Sequence, residues 1–401
     1  MRPLEALAKV CGDVRAGEPE EGVLGVQPAL VAAPASVAEA AEVMRVAAEQ
    51  GLSVVPRGAE TRLDWGTPPE RCDLLVDTHR LNRLVEHAAG DLVATAEAGL
   101  PLEALAERLA EEGQRLSLDV PLPGSTVGGT IATAAAGPLR TLFGTPRDLV
   151  IGLTVVRADG KIARSGGKVV KNVAGYDLGR LFSGSYGTLG LIVEATFRLH
   201  PVPAATAWVA RRVGGPDEAH EALQTVLHSP TAPSALEFIG PGTVAALLEG
   251  VPDGVAARAG QLVKLLGGDA QITENAPDGW GLYPDGTTLI DVTAPPPSLR
   301  ELVGLVDGLR PGVAMTWSGS GHGQIGLPSG TTSEEVAAAL GALRDVLGRY
   351  KGAAVVRYAP QEVRGEIDLW GPVPALSLMR RVKDQFDPDH RLSPGRFVGG
   401  I

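Results

Sequence analysis

The sequence predicts an α+β protein built in two lobes, and three observations carry that reading. Its 401 residues exceed what one hydrophobic core ordinarily organises, so two domains are expected. Between residues 124 and 190 glycine and small hydroxylated residues recur around two strand-like segments, a pattern that brings backbone close to a large ligand. After Pro201 and Pro203 strands and helices alternate, as in an antiparallel sheet with helices on one face.

From the N-terminus, Val37, Ala40, Ala41, Met44, Ala47 and Ala48 are spaced as one face of a helix, with Ser36 as N-cap and Gly51 as stop. The β-branched run Ser53-Val54-Val55 leads into Pro56-Arg57-Gly58-Ala59-Glu60-Thr61-Arg62. Helix, short strand and tight turn make a phosphate grip with Arg57 or Arg62 as counter-charge, or else a surface turn with incidental arginines. Residues 74–77 and 92–96 read as strands, and residues 101–112 as a helix ended by Gly113. The run Pro123-Gly124-Ser125-Thr126-Val127-Gly128-Gly129-Thr130-Ile131-Ala132-Thr133 opens the glycine-rich stretch, and Gly184-Ser185-Tyr186-Gly187-Thr188-Leu189-Gly190 closes it. Between them, residues 149–157 and 161–164 read as strands joined by the hairpin signal Asp159-Gly160. Residues 195–199 make a last strand before the proline pair.

The second half predicts strands at residues 205–213, 234–239, 287–293, 313–317, 323–327 and 353–358. It predicts helices at residues 217–227, 241–249, 298–309 and 332–350. Residues 252–285, rich in Gly, Asp and Pro, take no assignment. In the tail, Met379, Val382 and Phe386 have helical spacing and Asp387-Pro388-Asp389 is a stop. Leu392-Ser393-Pro394-Gly395-Arg396 then makes a tight turn in a segment free to run back to the first lobe.

Bulk properties narrow the function classes. A net charge of −11 argues against non-specific nucleic-acid binding. The two cysteines, Cys11 and Cys72, give no support within this chain for a disulfide framework, a cysteine-ligated zinc or an iron–sulfur cluster, and point to a reducing, cytosolic compartment. No run approaches the roughly 20 apolar residues of a membrane span, and residues 1–12 do not read as a signal peptide. Gly321-His322-Gly323-Gln324-Ile325-Gly326 fits GxGxxG, but Pro328 follows and no helix begins there, so the dinucleotide-binding context is missing. A P-loop lysine motif is also absent.

Six pieces occur in order: Val55-Pro56-Arg57-Gly58 with Thr61; residues 77–84 followed by Ala94-Thr95-Ala96-Glu97-Ala98-Gly99; Thr126-Val127-Gly128-Gly129-Thr130-Ile131-Ala132; Gly175-Tyr176-Asp177-Leu178 with Leu181-Phe182; Gly184-Ser185 with Gly187-Thr188-Leu189-Gly190; and Asp387-Pro388 with Pro394-Gly395-Arg396. Together they resemble the flavoproteins of vanillyl-alcohol oxidase type, whose FAD domain is called the PCMH-type fold. The resemblance implies a two-lobed FAD-binding domain over residues 1–203, a ferredoxin-like α+β cap over residues 204–371, and a C-terminal segment, residues 372–401, packing back on the FAD domain. It implies non-covalent FAD, because no histidine stands at the first turn, where some relatives bond the flavin.

Within that family Val169-Val170-Lys171-Asn172-Val173-Ala174-Gly175-Tyr176-Asp177-Leu178, Leu369-Trp370-Gly371 and residues 379–395 make the chain most similar to the FAD-binding E-type subunits of bacterial glycolate oxidases. That similarity implies one component of a heteromeric 2-hydroxy-acid dehydrogenase, oxidising glycolate to glyoxylate beside a second FAD-containing subunit and an iron–sulfur subunit. Such a subunit would be cytoplasmic, or held at the inner face of the membrane through its complex, with electrons passing to a membrane carrier. Two other readings stay open: a self-sufficient FAD-dependent 2-hydroxy-acid dehydrogenase, and an assembly subunit that has weakened or lost FAD binding.

Carried over residue by residue, the family's cofactor contacts would fall on three stretches. Pro56, Arg57, Gly58, Ala59, Glu60, Thr61 and Arg62 would hold the pyrophosphate. Pro123, Gly124, Ser125, Thr126, Thr133, Ala134, Ala136 and Gly137 would line the ribityl and ring region, Gly128 and Gly129 would contact the cofactor between them, and Tyr186, Gly187, Thr188, Gly190 and Ile192 would give main-chain contacts. Two departures stand out. Ala59 and Glu60 occupy positions where the family has glycines, and the Glu60 carboxylate would repel pyrophosphate unless it turns outward or pairs with Arg57 or Arg62. Tyr186 replaces a usual glutamate.

Oxidising a 2-hydroxy acid needs a hydride acceptor, a base for the hydroxyl proton and a cation for the carboxylate. Catalytic relatives carry a histidine-rich metal segment in the second domain. The comparable stretch here, Trp317-Ser318-Gly319-Ser320-Gly321-His322-Gly323-Gln324, has one histidine, and no metal is expected. His322 is a candidate proton-handling group or a hydrogen-bonded or surface histidine. Arg357 and Tyr358, ending a strand, are candidate carboxylate binders or ordinary strand residues. Lys171 and Asn172 read as structural residues or, from their place beside the cofactor stretch, as functional ones, and Trp280, Trp317 and Trp370 read most simply as core or interface aromatics.

Overall fold

The computed structural model describes residues 2–167 and 177–401. The chain divides into two compact units: Met1–Ala136, Thr145–Val202 and Val373–Ile401 form the first, Gly137–Gly144 and Pro203–Pro372 the second. The architecture is α+β, as the sequence predicts.

The first unit holds a four-stranded sheet in the order Val14–Ala16, Leu30–Ala32, Leu74–Asp77, Val54–Arg57. Leu74–Asp77 runs parallel to both neighbours. A parallel neighbour requires a crossover, which the helix Val37–Glu49 provides. Its start is fixed chemically: the Ser36 hydroxyl accepts from Glu39 N at 3.1 Å, and Glu39 Oε2 accepts from Ala35 N at 3.0 Å. Ala40, Val43, Met44 and Ala47, on one face, enter a core shared with Val54, Leu74 and Val76.

A second sheet of this unit has the order Leu84–Ala88, Val93–Glu97, Leu191–Arg198, Val150–Val156, Ile162–Gly166, with every neighbour antiparallel. The Asp159-Gly160 hairpin joins its last two strands, with Gly160 at φ +80°. Three of the segments go beyond the sequence reading: Val14–Ala16, Leu30–Ala32 and Leu84–Ala88 are three to five residues long, too short to show a period.

The second unit is one eight-stranded antiparallel sheet, in the order Gln271–Thr273, Ala205–Arg212, Thr243–Gly250, Ala235–Ile239, Ala314–Ser318, His322–Leu327, Thr288–Thr293, Ala353–Tyr358. Chain order shows two successive β-α-β-β-α-β repeats. Each has the strand order of a ferredoxin-like unit, and they join edge to edge where Phe238 faces Trp317. Helices Pro216–Leu227, Pro252–Leu266, Leu299–Asp307 and Ser333–Gly348 bury their apolar stripes against one face, with Val209, Phe238, Ile290, Trp317, Ile325 and Val356 beneath them.

Two assignments change here. Residues 241–249, predicted as a helix, are the strand Thr243–Gly250, paired on both sides. Its middle, Val244 to Leu248, is buried on both faces, so the apolar run has no alternation to read. Residues 252–285 contain the 15-residue helix Pro252–Leu266, which starts on a proline with Asp253 in its first turn. Gly254 and Gly260 conceal it in the sequence. The GxGxxG look-alike is the strand His322–Leu327, hydrogen-bonded on both edges.

Candidate cofactor site and the polar sheet face

In the first unit, strand ends and turns converge on one groove. Its walls include every residue from Pro56 to Arg62, then Thr126, Gly128, Gly129 and Thr133, and then Tyr186, Gly187, Gly190 and Ile192. Three stretches far apart in the chain thus meet. The walls are backbone by necessity: a Cβ on Gly58 would lie 2.5 Å from Thr126 Oγ1, and Gly187, at φ +73°, lies against Pro56. Thr126 Oγ1 caps the helix Val127–Thr133 by accepting from Gly129 N at 3.3 Å. Pro123, Gly124, Ser125, Ala134, Ala136 and Thr188 lie in the same unit but off these walls, and Gly137 begins the short segment that belongs to the second unit. Lys171 and Asn172 lie outside the described residues. The groove also takes in Thr78, Ala98 and Ser393, which the sequence reading does not nominate.

The two arginines of the turn have different fates. Arg57 is 7% exposed and engaged on three sides: Nε and Nη2 donate to Asp77 Oδ2 at 3.0 and 2.6 Å, Nη1 donates to Glu21 Oε1 at 2.9 Å, and Glu60 Oε1 lies 3.0 Å from Nη1. Arg62 is equally buried, 6% exposed, and lies 5.5 Å from the ring centre of Trp65, but its Nε and Nη2 have no hydrogen-bond partner among the described residues. A buried guanidinium without acceptors costs free energy that an anionic ligand would recover. Glu60, at φ +63° with its side chain half exposed, turns to Arg57 and so does not oppose that anion. Glycine-lined walls, hydroxyls and the two unmatched donors of Arg62 make a donor set that fits the pyrophosphate of a flavin nucleotide.

The tail returns to this unit. Arg391 O accepts from Val54 N at 2.7 Å and Ser393 N donates to Val54 O at 2.8 Å, so residues 391–393 extend the four-stranded sheet. Arg396 Nη2 donates to Leu63 O and Trp65 O at 2.9 and 2.8 Å, bracing the turn that carries Arg62. Phe397 stacks on Tyr186 with centroids 5.2 Å apart.

The second unit gathers its own polar group on the sheet face turned away from the helices. Arg357 Nε donates to Asp291 Oδ2 at 2.6 Å, and His322 Nε2 lies 3.4 Å from the same oxygen. Thr141 Oγ1, Ser318 Oγ and Ser320 Oγ form a hydroxyl chain with spacings of 3.1 and 3.0 Å. Burial opposes the charge on Asp291, but Arg357 and then His322 outweigh it and hold the carboxyl far below the usual range. Burial, and then Arg140, push His322 below its ordinary value, so the imidazole is neutral at pH 7. Tyr358 stands apart from this trio, its hydroxyl 3.4 Å from Gly286 O. Asp291 is a residue the sequence reading misses. Its signal is a carboxylate inside the apolar strand Leu289-Ile290-Asp291-Val292. Among the described residues no group of three or more His, Cys, Asp and Glu side chains could hold a metal ion.

Such a groove, on two small sheets and completed by the tail, defines a flavin-nucleotide-binding domain. Residues 28–166 match the family described as FAD binding domain. The chain is 29% identical over 423 aligned residues to an uncharacterized FAD-linked oxidoreductase of Mycobacterium tuberculosis, covering 93% of this chain and 91% of the relative. It is 38% identical over 162 residues to glycolate oxidase subunit GlcE of Escherichia coli, 40% of this chain and 46% of that one. To D-2-hydroxyglutarate dehydrogenase of Xanthomonas citri it is 40% identical over 177 residues, 44% and 38% of the two chains. Against these last two the alignment spans less than half of the relative's length. The solved structure of p-cresol methylhydroxylase shares the fold, with a TM-score of 0.75 at 15% identity over 98% of this chain and 96% of that one. The chain thus carries an FAD-binding domain over residues 28–166 and is an FAD-dependent oxidoreductase.

Proposed function

We propose that this protein is the FAD-binding subunit of a 2-hydroxy-acid dehydrogenase of the glycolate oxidase kind, oxidising glycolate to glyoxylate with FAD held non-covalently. The observation that carries the cofactor reading is Arg62, buried at the groove with two donors unsatisfied. The substrate class is supported by relatives named for glycolate and for D-2-hydroxyglutarate, both 2-hydroxy acids.

When bound, FAD supplies the hydride acceptor. Residues 56–62 would hold its pyrophosphate, with Arg62 as the cation. Neutral His322 is in the protonation state needed to take a hydroxyl proton, and Asp291 orients it. Arg357 would bring positive charge to a substrate carboxylate, partly offset by Asp291. The partners in this reading are a second flavoprotein subunit and an iron–sulfur subunit.

Co-purification from the native host tests the assignment. A second flavoprotein and an iron–sulfur protein are expected in the eluate, with glycolate-dependent dye reduction following the complex. A self-sufficient dehydrogenase is the second reading, favoured by the near full-length match to a single FAD-linked oxidoreductase. Turnover of 2-hydroxy acids by the isolated chain would establish it instead.

A further inference from the structure

The helix Leu376–Phe386 carries a lysine that is almost completely buried. Lys383 is 1% exposed, and all three of its N–H bonds are used: Nζ donates to Thr188 O at 2.8 Å, Asp387 Oδ2 at 2.7 Å and Leu392 O at 2.8 Å. The same Asp387 oxygen accepts from Leu392 N at 2.7 Å. One ammonium therefore ties the glycine-rich loop, at Thr188, to the tail, at the residue just before Ser393.

Ser393 is held in an unusual state. It is 1% exposed and left-handed, with φ +45°. Its backbone is satisfied on both sides: N donates to Val54 O at 2.8 Å and O accepts from Arg396 N at 3.1 Å. Its hydroxyl has no partner among the described residues, yet it lines the groove, 3.3 Å from where a Cβ on Gly187 would stand. Buried hydroxyls are ordinarily satisfied, and a strained backbone that presents one to a ligand site is held by something rigid.

We propose that Ser393 is a further FAD-contacting residue whose hydroxyl bonds a polar atom of the bound nucleotide, and that Lys383 and Asp387 are positioning residues that present it there through Leu392. The proposal rests on the assignment of FAD to this groove. The C-terminal segment then completes the cofactor site as well as the fold.

Titrating the flavin-free full chain with FAD, followed by flavin fluorescence, tests this. Ser393→Ala is expected to raise the FAD dissociation constant about fivefold to tenfold, the loss of one hydrogen bond, with the melting temperature of the flavin-free protein unchanged. Lys383→Met, or the shape-preserving Asp387→Asn if that variant fails to fold, is expected to weaken FAD at least as much. Adding Ser393→Ala to either should then cost less than about twofold more, because the latch acts through that hydroxyl. A Ser393→Ala variant that binds FAD as tightly as wild type would overturn the contact, and additive losses would overturn the positioning role. Wild-type protein that binds no FAD would overturn both this proposal and the cofactor assignment beneath it.

Discussion

The cofactor groove holds a buried arginine and the polar sheet face of the second unit a half-buried one, and they are treated in opposite ways. Arg357 donates into Asp291 at 2.6 Å, so the positive charge meets a carboxylate supplied by the chain itself. Arg62 is 6% exposed, with Nε and Nη2 unmatched among the described residues. The first arginine has a carboxylate partner as folded, whereas the second lacks an acceptor among the described residues, one that an anionic ligand would bring. Arg57, in the same turn as Arg62, shows that this turn can satisfy an arginine internally, with Asp77, Glu21 and Glu60 around it. An unmatched guanidinium beside a fully matched one marks where the anion belongs.

The comparison makes removal of the two charges differ in kind. Asp291→Asn should be the most damaging single change to stability, about 2–3 kcal/mol, because it breaks an ion pair whose carboxylate is buried. Thermal unfolding should show the loss without added FAD, and a melting temperature equal to wild type would mean that the pair contributes nothing. Arg62→Ala should leave the flavin-free protein no less stable, yet weaken FAD about 10- to 100-fold, or about 1.4–2.7 kcal/mol. A drop in flavin-free stability with unchanged affinity would reverse the roles assigned to the two arginines.

Acid should act on the framework around Arg57. Hydrogen bonding from Arg15, more than any other contact, with burial opposing and Arg57 assisting, lowers the Glu21 carboxyl from 4.5 to about 2. A depressed carboxyl contributes stability that is full above its unfolded pKa and is lost as pH falls toward the folded one. Stability should therefore decline between pH 4.5 and about 2, and Glu21→Gln should flatten that decline. An identical acid limb in the variant would place the effect elsewhere. Glu60→Gly should be the mildest change. Glycine relieves the left-handed φ of +63° while removing a half-exposed ion pair, and the carboxylate already faces Arg57, so FAD affinity should move less than about threefold. A larger gain would mean that the carboxylate opposes the pyrophosphate after all.

The same contrast explains what the sequence makes legible. A groove made of backbone must spend glycine and small residues at fixed places, and Gly58, Gly128, Gly129, Gly187 and Gly190 stand out as a pattern in the sequence itself. The groups of the second unit do not. Asp291 meets His322 and Arg357 across separations of 31 and 66 residues, through strand pairings that no local period encodes. The strand Thr243–Gly250 reads as a helix because burial on both faces erases the alternation that distinguishes the two. Lys383 and Asp387 stand one helical turn apart, a spacing typical of an exposed pair, and only the packing of the tail shows that both are buried.

The most direct test of the central claim is the flavin retained by the purified chain after incubation with FAD and gel filtration, read from its visible absorbance alongside the Arg62→Ala variant. Wild type should elute with one flavin per chain, and the variant, folded by circular dichroism, should elute largely without it. Wild-type protein emerging colourless, or a variant holding its flavin as well as wild type, would contradict the account.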